Sequence, residues 1–204
     1  MILDATAGNR TMWSIKHSDH IIYIDKTLAL EVAPTLFCDN ECTPFKDATF
    51  DTIFYDPPHT WGNKTDFHAF PRRTEEYIKK WKDKSIPRYY GWDIYDSRSQ
   101  LVKHIYNAQK EFARIGKEDC LLWLKWNEMS IVLSNVLSVM SDWEVLMDLY
   151  ISAPLQTRGE HQTYWLCMQK KKGVSQTLLF DAVPASYDSS VARFDPTKPK
   201  QSIA

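Results

Sequence analysis

The sequence predicts an α/β protein built on an open, mostly parallel sheet of seven strands that finishes in a C-terminal antiparallel hairpin. Three observations point there. Short apolar bursts at Ile21–Asp25, Thr35–Asp39 and Phe50–Asp56 each end in an acid, as buried parallel strands do when ligand-binding groups gather at their carboxyl ends. Strand and helix patterns alternate through the middle of the chain. The last two apolar bursts are joined by the polar run 156–162, as in a hairpin at a sheet edge.

The elements follow in order. Met1 to Gly8 reads as a first strand ending in small residues, and Asn9 to Lys16 as the start of a short helix. Strands two, three and four are the three acid-terminated bursts, the fourth running into Pro57 and Pro58, which lack the amide a central strand needs. Residues 59–100 break the rhythm with nine aromatics, nine Lys or Arg and six Asp or Glu, so they read as an insertion carrying one helix near Thr74 to Lys82. A clearer helix spans Ser99 to Ile115, with Leu101, Ile105, Ala108 and Phe112 on one face and Gly116 able to end it. Cys120 to Trp126 is strand five, Met129 to Met140 a buried helix, and Trp143–Ile151 and Thr163–Gln169 the hairpin. One domain therefore covers 1–172, with a polar tail at 173–204 that is expected to be partly unstructured or draped over the body.

Composition bounds the function. With 204 residues, one core is expected rather than two. The net charge of -1 gives no global field for nucleic acid. Cys38, Cys42, Cys120 and Cys167 are too few for a disulfide scaffold and badly spaced for zinc, so reduced thiols and no metal are expected. No signal peptide and no apolar run of membrane length is present, which predicts a soluble, cytoplasmic protein. Six glycines are under half of the usual ~7% share, so any glycine motif must be lean.

Two motifs carry chemistry. In Asp4-Ala5-Thr6-Ala7-Gly8 a strand ends in a glycine turn where backbone can approach a ligand. The G-x-G-x-x-G of dinucleotide sites is absent, which disfavours a pyrophosphate. Asp25 follows Asp4 by 21 positions, near the spacing at which an acid on the second strand accepts a ribose diol. In Asp56-Pro57-Pro58-His59 two rigid φ angles set a carboxylate beside a carbonyl, two acceptors for one planar NH2 group, and His59 offers a flat ring able to stack.

On these motifs the chain resembles the class I S-adenosylmethionine-dependent methyltransferases, specifically the amino-methyltransferases with a (D/N/S)-P-P-(Y/F/W/H) motif, over roughly residues 1–172. The resemblance implies a Rossmann-like fold with S-adenosylmethionine as cofactor. It implies that Asp4 to Gly8 hold the methionine part, Asp25 the ribose, Asp39 with Asn40 the adenine, and Asp56 to His59 the target nitrogen. The chain differs from the pattern in its single glycine, in His at 59, and in having no helix before strand one, which predicts that the tail or another subunit closes the pocket.

The aromatic and basic insertion beside Asp56 is the expected selector of substrate: Trp61, Tyr89, Tyr90 and Trp92 for stacking, Arg72, Arg73, Lys79 and Lys80 for phosphates. Trp126 and Asn127, leaving strand five, would line the same pocket. The expected acceptor is an exocyclic amine of adenine or guanine, in RNA in preference to DNA, presented single-stranded or flipped out. Other acceptors consistent with the residues are a protein side-chain amide or a small molecule. A non-catalytic role as partner subunit, and a homodimer, also fit.

Overall fold

The computed structural model describes residues 1–28, 30–61, 95–128, 130–151 and 163–173. Seven strands form one sheet: β1 Ile2–Asp4, β2 Ile21–Asp25, β3 Leu36–Phe37, β4 Phe50–Tyr55, β5 Gly116–Asn127, β6 Trp143–Ile151 and β7 Thr163–Lys170. Their order is β3-β2-β1-β4-β5-β7-β6. The first five are parallel, and β7 enters antiparallel between β5 and β6. The strand order reverses direction at β1, whose neighbours are β2 and β4. In open α/β sheets the crevice beyond such a reversal is where ligands bind.

The helix α1, Arg98–Ile115, starts one residue earlier than its periodicity predicts and packs Leu101, Ile105, Ala108 and Phe112 as fully buried residues. Ser97 caps it by accepting the amide of Gln100. Its buried face meets Ile53, Tyr55, Leu122 and Leu124, with the rings of Tyr55 and Phe112 edge to face at 4.9 Å. Each such side chain contributes roughly 1.5–3 kcal/mol of burial. Gly116 ends the helix and begins β5 in one step. A Cβ there would lie 2.8 Å from the carbonyl oxygen of Phe112 and 2.9 Å from Cys120 Sγ, so close approach, not a left-handed turn, requires the glycine.

Two helical expectations are corrected. Asn9 to Lys16 forms turns rather than a helix. Gly8 and Arg10 take φ of 47° and 56°, which a right-handed helix cannot accommodate. Asn9 instead accepts the amides of Glu31 and Val32, and the Arg10 guanidinium lies 3.8 Å over the Tyr23 ring while donating to Ala33 O. The helix expected over 129–140 is the shorter α2, Leu133–Val139. Its start is set by Glu128, whose carboxylate accepts the Leu133 amide, and by the Trp126 indole, which holds Ile131 O at 2.9 Å. Among the described residues no helix occurs in the connections β1–β2, β2–β3 or β3–β4. The last of these is instead stapled to α1. Glu111, 1% exposed, accepts from both the amide and hydroxyl of Thr43, and Arg114 joins Glu111 to Asp47 and to Phe45 O.

No helix among the described residues is long and apolar enough to cross a membrane. The helix expected at Thr74 to Lys82, the 156–162 connection and the 173–204 tail beyond Gly173 lie outside the described residues.

Candidate active site

Parallel register brings the two motifs together. Asp4 at the end of β1 lies across from Phe54 on β4, two residues before Asp56, and from Tyr23 on β2, two before Asp25. The Asp4–Gly8 loop then spends its own amides. Ala5 N donates to Phe54 O, Thr6 N to the Asp4 carboxylate, Ala7 N to Ile24 O, and Gly8 N to Asp25 Oδ2 at 2.9 Å. No amide from 5 to 8 remains for an anion, so this loop is not a phosphate cradle, as its lean glycine content suggests. The Thr6 hydroxyl ties the loop to the second motif by accepting the Asp56 amide at 2.7 Å. Asn40, buried, donates to Ala5 O at 3.0 Å and leaves its Oδ1 buried and unpartnered. Asp25 also accepts the amide of Thr27, and Asp39 pairs with Lys26 at 3.1 Å.

Of the carboxylates at these strand ends, Asp4 is held in a different state from Asp56 and Asp39. Asp4 is fully buried. Burial lifts its carboxyl. Hydrogen bonds from the Trp13 indole at 2.7 Å and the Thr6 amide hold it back, while the charges of Asp56 and Asp25 push it further, to about 6. Asp56 is the reverse case. Burial would raise it, but the hydrogen bond from His59 and the charge of Lys125 outweigh burial and hold it below the usual carboxylate range. Lys125 Nζ sits 2.6 Å from Asp56 Oδ2, and His59 Nε2 3.4 Å from Oδ1. Burial also opposes ionisation of Asp39, but the Glu41 amide and Lys26 hold it below its ordinary range.

His59 is only 8% exposed and packs edge to face on the Trp126 ring at 5.1 Å. Its Nδ1 is buried without a partner among the described residues. Pro57 and Pro58 lie between Asp56 and His59 in the irregular segment that follows β4; Pro57 is buried. Trp126 is fully buried. Asn127 donates to the Thr163 hydroxyl, and Trp61 packs partly against the core. Arg72, Arg73, Lys79, Lys80, Tyr89, Tyr90 and Trp92 lie outside the described residues.

Trp13 and Lys125 are the residues that motif reasoning underrates. Trp13 supplies the donor to Asp4 and stacks its ring edge against Tyr23 and Phe54. Its nine-residue distance from Asp4 carries no spacing rule. Lys125 shares its strand face with Trp123, which β5 places beside Phe54, and this alternation is readable once β5 is known to neighbour β4.

No family model matches the chain, and no curated protein matches it. Among solved structures it is similar to a SAM-dependent methyltransferase of the DUF858 family from Leishmania major, with 10% identity and a TM-score of 0.44. That match covers 81% of this chain and 63% of the other. The chain thus spans less than two thirds of that structure's length.

Proposed function

We propose that the protein is an S-adenosylmethionine-dependent methyltransferase acting on an exocyclic amino group of a nucleic acid base, adenine or guanine, with RNA favoured over DNA. The observation that carries the reading is the crevice of Asp4, Asp25 and Asp56, in which Asp4 is buried, repelled by its two neighbours and, among the described residues, has no cation of its own. Such a site favours a positively charged ligand without phosphates, and S-adenosylmethionine brings an ammonium and a sulfonium. Asp4 and the loop to Gly8 hold the methionine end, Asp25 the ribose, and Asp39 with Asn40 the adenine.

The cofactor supplies an electrophilic methyl group, and the chain's own residues position the acceptor. Asp56 and the Pro57 carbonyl accept the two hydrogens of a planar amine, which aims its lone pair at the methyl carbon. Lys125 keeps Asp56 ionised and in place for this. Trp61, Asn127 and the insertion's Arg72, Arg73, Lys79, Lys80, Tyr89, Tyr90 and Trp92 select the base and its strand.

The test is to incubate the full chain with methyl-labelled S-adenosylmethionine and, separately, RNA, single-stranded DNA, duplex DNA and a protein extract. Label in RNA or single-stranded DNA is expected. Label in protein alone would replace the acceptor with a side-chain amide, and absence of both label and cofactor binding would overturn the reading.

A further inference from the structure

Under the proposed function Asp4 holds a ligand's positive end, yet Asp4 is fully buried, so nothing the size of a water molecule touches its carboxylate. An ammonium nitrogen is no smaller than a water oxygen. A ligand therefore reaches this carboxylate only if a neighbour moves. Two donors cover it, the Thr6 amide at 3.2 Å on Oδ1 and the Trp13 indole at 2.7 Å on Oδ2. The Thr6 amide belongs to a loop tied down on every side: Ala5 N donates to Phe54 O, Ala7 N to Ile24 O, Gly8 N to Asp25, and Asp56 N to the Thr6 hydroxyl. Trp13 is held differently. Parallel register sets Asp4 between Tyr23 and Phe54 on one face of the sheet, and the indole meets both rings edge to face, at 6.2 and 5.0 Å between centroids. It projects from turns and is partly exposed. Turning the indole about its own side-chain bonds breaks one hydrogen bond and no backbone bond.

We propose that Trp13 caps the ligand site: its indole N–H occupies, on Asp4 Oδ2, the place that the ligand's ammonium takes, and binding exchanges one for the other. The inference rests on the methyltransferase reading. The exchange is favourable because a cation meets a carboxylate more strongly than a neutral N–H does. The surroundings of Asp4 add to this. Burial first, and then the charges of Asp56 after β4 and Asp25 at the end of β2, lift its carboxyl to about 6 despite the indole and the Thr6 amide. The nearby cations are engaged elsewhere: Lys125 of β5 is bound to Asp56, and the Arg10 guanidinium lies 3.8 Å over the Tyr23 ring while donating to Lys16 O and Ala33 O. In the ligand-free protein the indole thus partly satisfies a carboxylate that is otherwise short of donors. That stabilisation is lost when the ligand enters, so the cap lowers the affinity.

The sign of one substitution separates a cap from a support. Trp13→Phe keeps a ring against Tyr23 and Phe54 but donates nothing to Asp4. Ligand entry then breaks no hydrogen bond to a charged group, so S-adenosylmethionine is expected to bind the variant at least about tenfold more tightly than wild type at pH 8, measured by calorimetry. A Trp13 that positions Asp4 or stacks on the ligand gives the opposite sign, and equal or weaker binding by the variant overturns the cap. Its melting temperature shows that it is folded.

A second readout needs no variant. The proton resonance of the Trp13 indole N–H, assigned through its Overhauser contacts to the Tyr23 and Phe54 rings, is expected to move in the ligand-free protein as pH passes about 6 and Asp4 ionises. On saturation with S-adenosylmethionine it is expected to shift again and to exchange faster with solvent. An indole that stays bonded and protected in the saturated protein overturns the cap and leaves the methyltransferase reading standing. If neither wild type nor Trp13→Phe binds S-adenosylmethionine, that reading falls and the cap with it, whereas binding by the variant alone supports both.

Discussion

Asp4 and Asp56 stand at the ends of neighbouring strands, and the protein treats them oppositely. On the β1 side a fully buried carboxylate has an indole and an amide for company and, among the described residues, no cation, so it rests near 6. On the β4 side a carboxylate has a lysine on one oxygen and an imidazole on the other, and is held low. The difference divides the crevice: one half waits for a positive charge from outside, and the other already contains its own. A third acidic region shows what completion looks like. Glu111 is as buried as Asp4, yet two bonds from Thr43 and a fork from Arg114 satisfy it, and its task is to hold the β3–β4 connection on α1.

The sharpest way to break this division is Asp56→Ala. Methyl transfer is expected to fall at least about 100-fold while cofactor affinity, measured by calorimetry, stays within a few fold, since the proposed function gives Asp56 to the acceptor. Equal losses in both would merge the two halves. Asp4→Asn should do the converse, weakening S-adenosylmethionine by about tenfold or more at pH 8 through loss of a charge-assisted contact.

The same substitution has a second consequence. Because the folded-state value of Asp4 lies above the ordinary 3.8, its contribution to stability is present below about pH 4 and is lost as pH rises through about 6. Removing the charge relieves on the order of 3 kcal/mol at pH 8, while the amide of Asp4→Asn forfeits the bond from Trp13 or Thr6. The variant is therefore expected to lose less stability than wild type between pH 5 and pH 8 in denaturant melts, and an equal loss in both would show that Asp4 is not strained. Cofactor binding to the wild type should tighten as pH rises through about 6, because the ammonium meets a carboxylate only above it.

Smaller effects sharpen the picture. Lys125→Met should lower transfer about tenfold at pH 7 and move the acid limb of the profile to higher pH, since Asp56 loses a charge that keeps it ionised. An unmoved limb would show that Lys125 does not set the state of Asp56. Gly8→Ala tests the turn beneath Asp4. No atom lies within 4 Å of the added Cβ, so only the positive φ opposes it, at about 1 kcal/mol in a urea melt.

Much of the sheet was legible because its strands announce themselves. Ile21–Asp25 and Trp143–Ile151 end where their apolar runs end, and the face of α1 is the one its periodicity names. What escaped were segments whose shape depends on distant partners. Asn9 to Lys16 has the composition of a helix start, but Asn9 and Arg10 are claimed by Glu31, Val32, Ala33 and Tyr23. β5 begins at Gly116 rather than Cys120 because Phe50 pairs there before the register shifts, leaving Lys117 to bond Asp51. In the site, the acids were readable from their places at strand ends. The different states of Asp4 and Asp56 were not, since they depend on Trp13, Lys125 and the buried orientation of His59.

The place of β7 has a consequence for how the protein is made. Both its neighbours, β5 and β6, precede it in the chain, so a ribosome releases them before the strand that must slip between them exists. Until Thr163–Lys170 emerges, the β5 edge that carries Trp123 and Lys125 has no partner on that side. The crevice is thus finished by the last of the described strands to be synthesised. Nascent chains halted before Thr163 should be inactive, protease-sensitive and prone to pair wrongly through that edge.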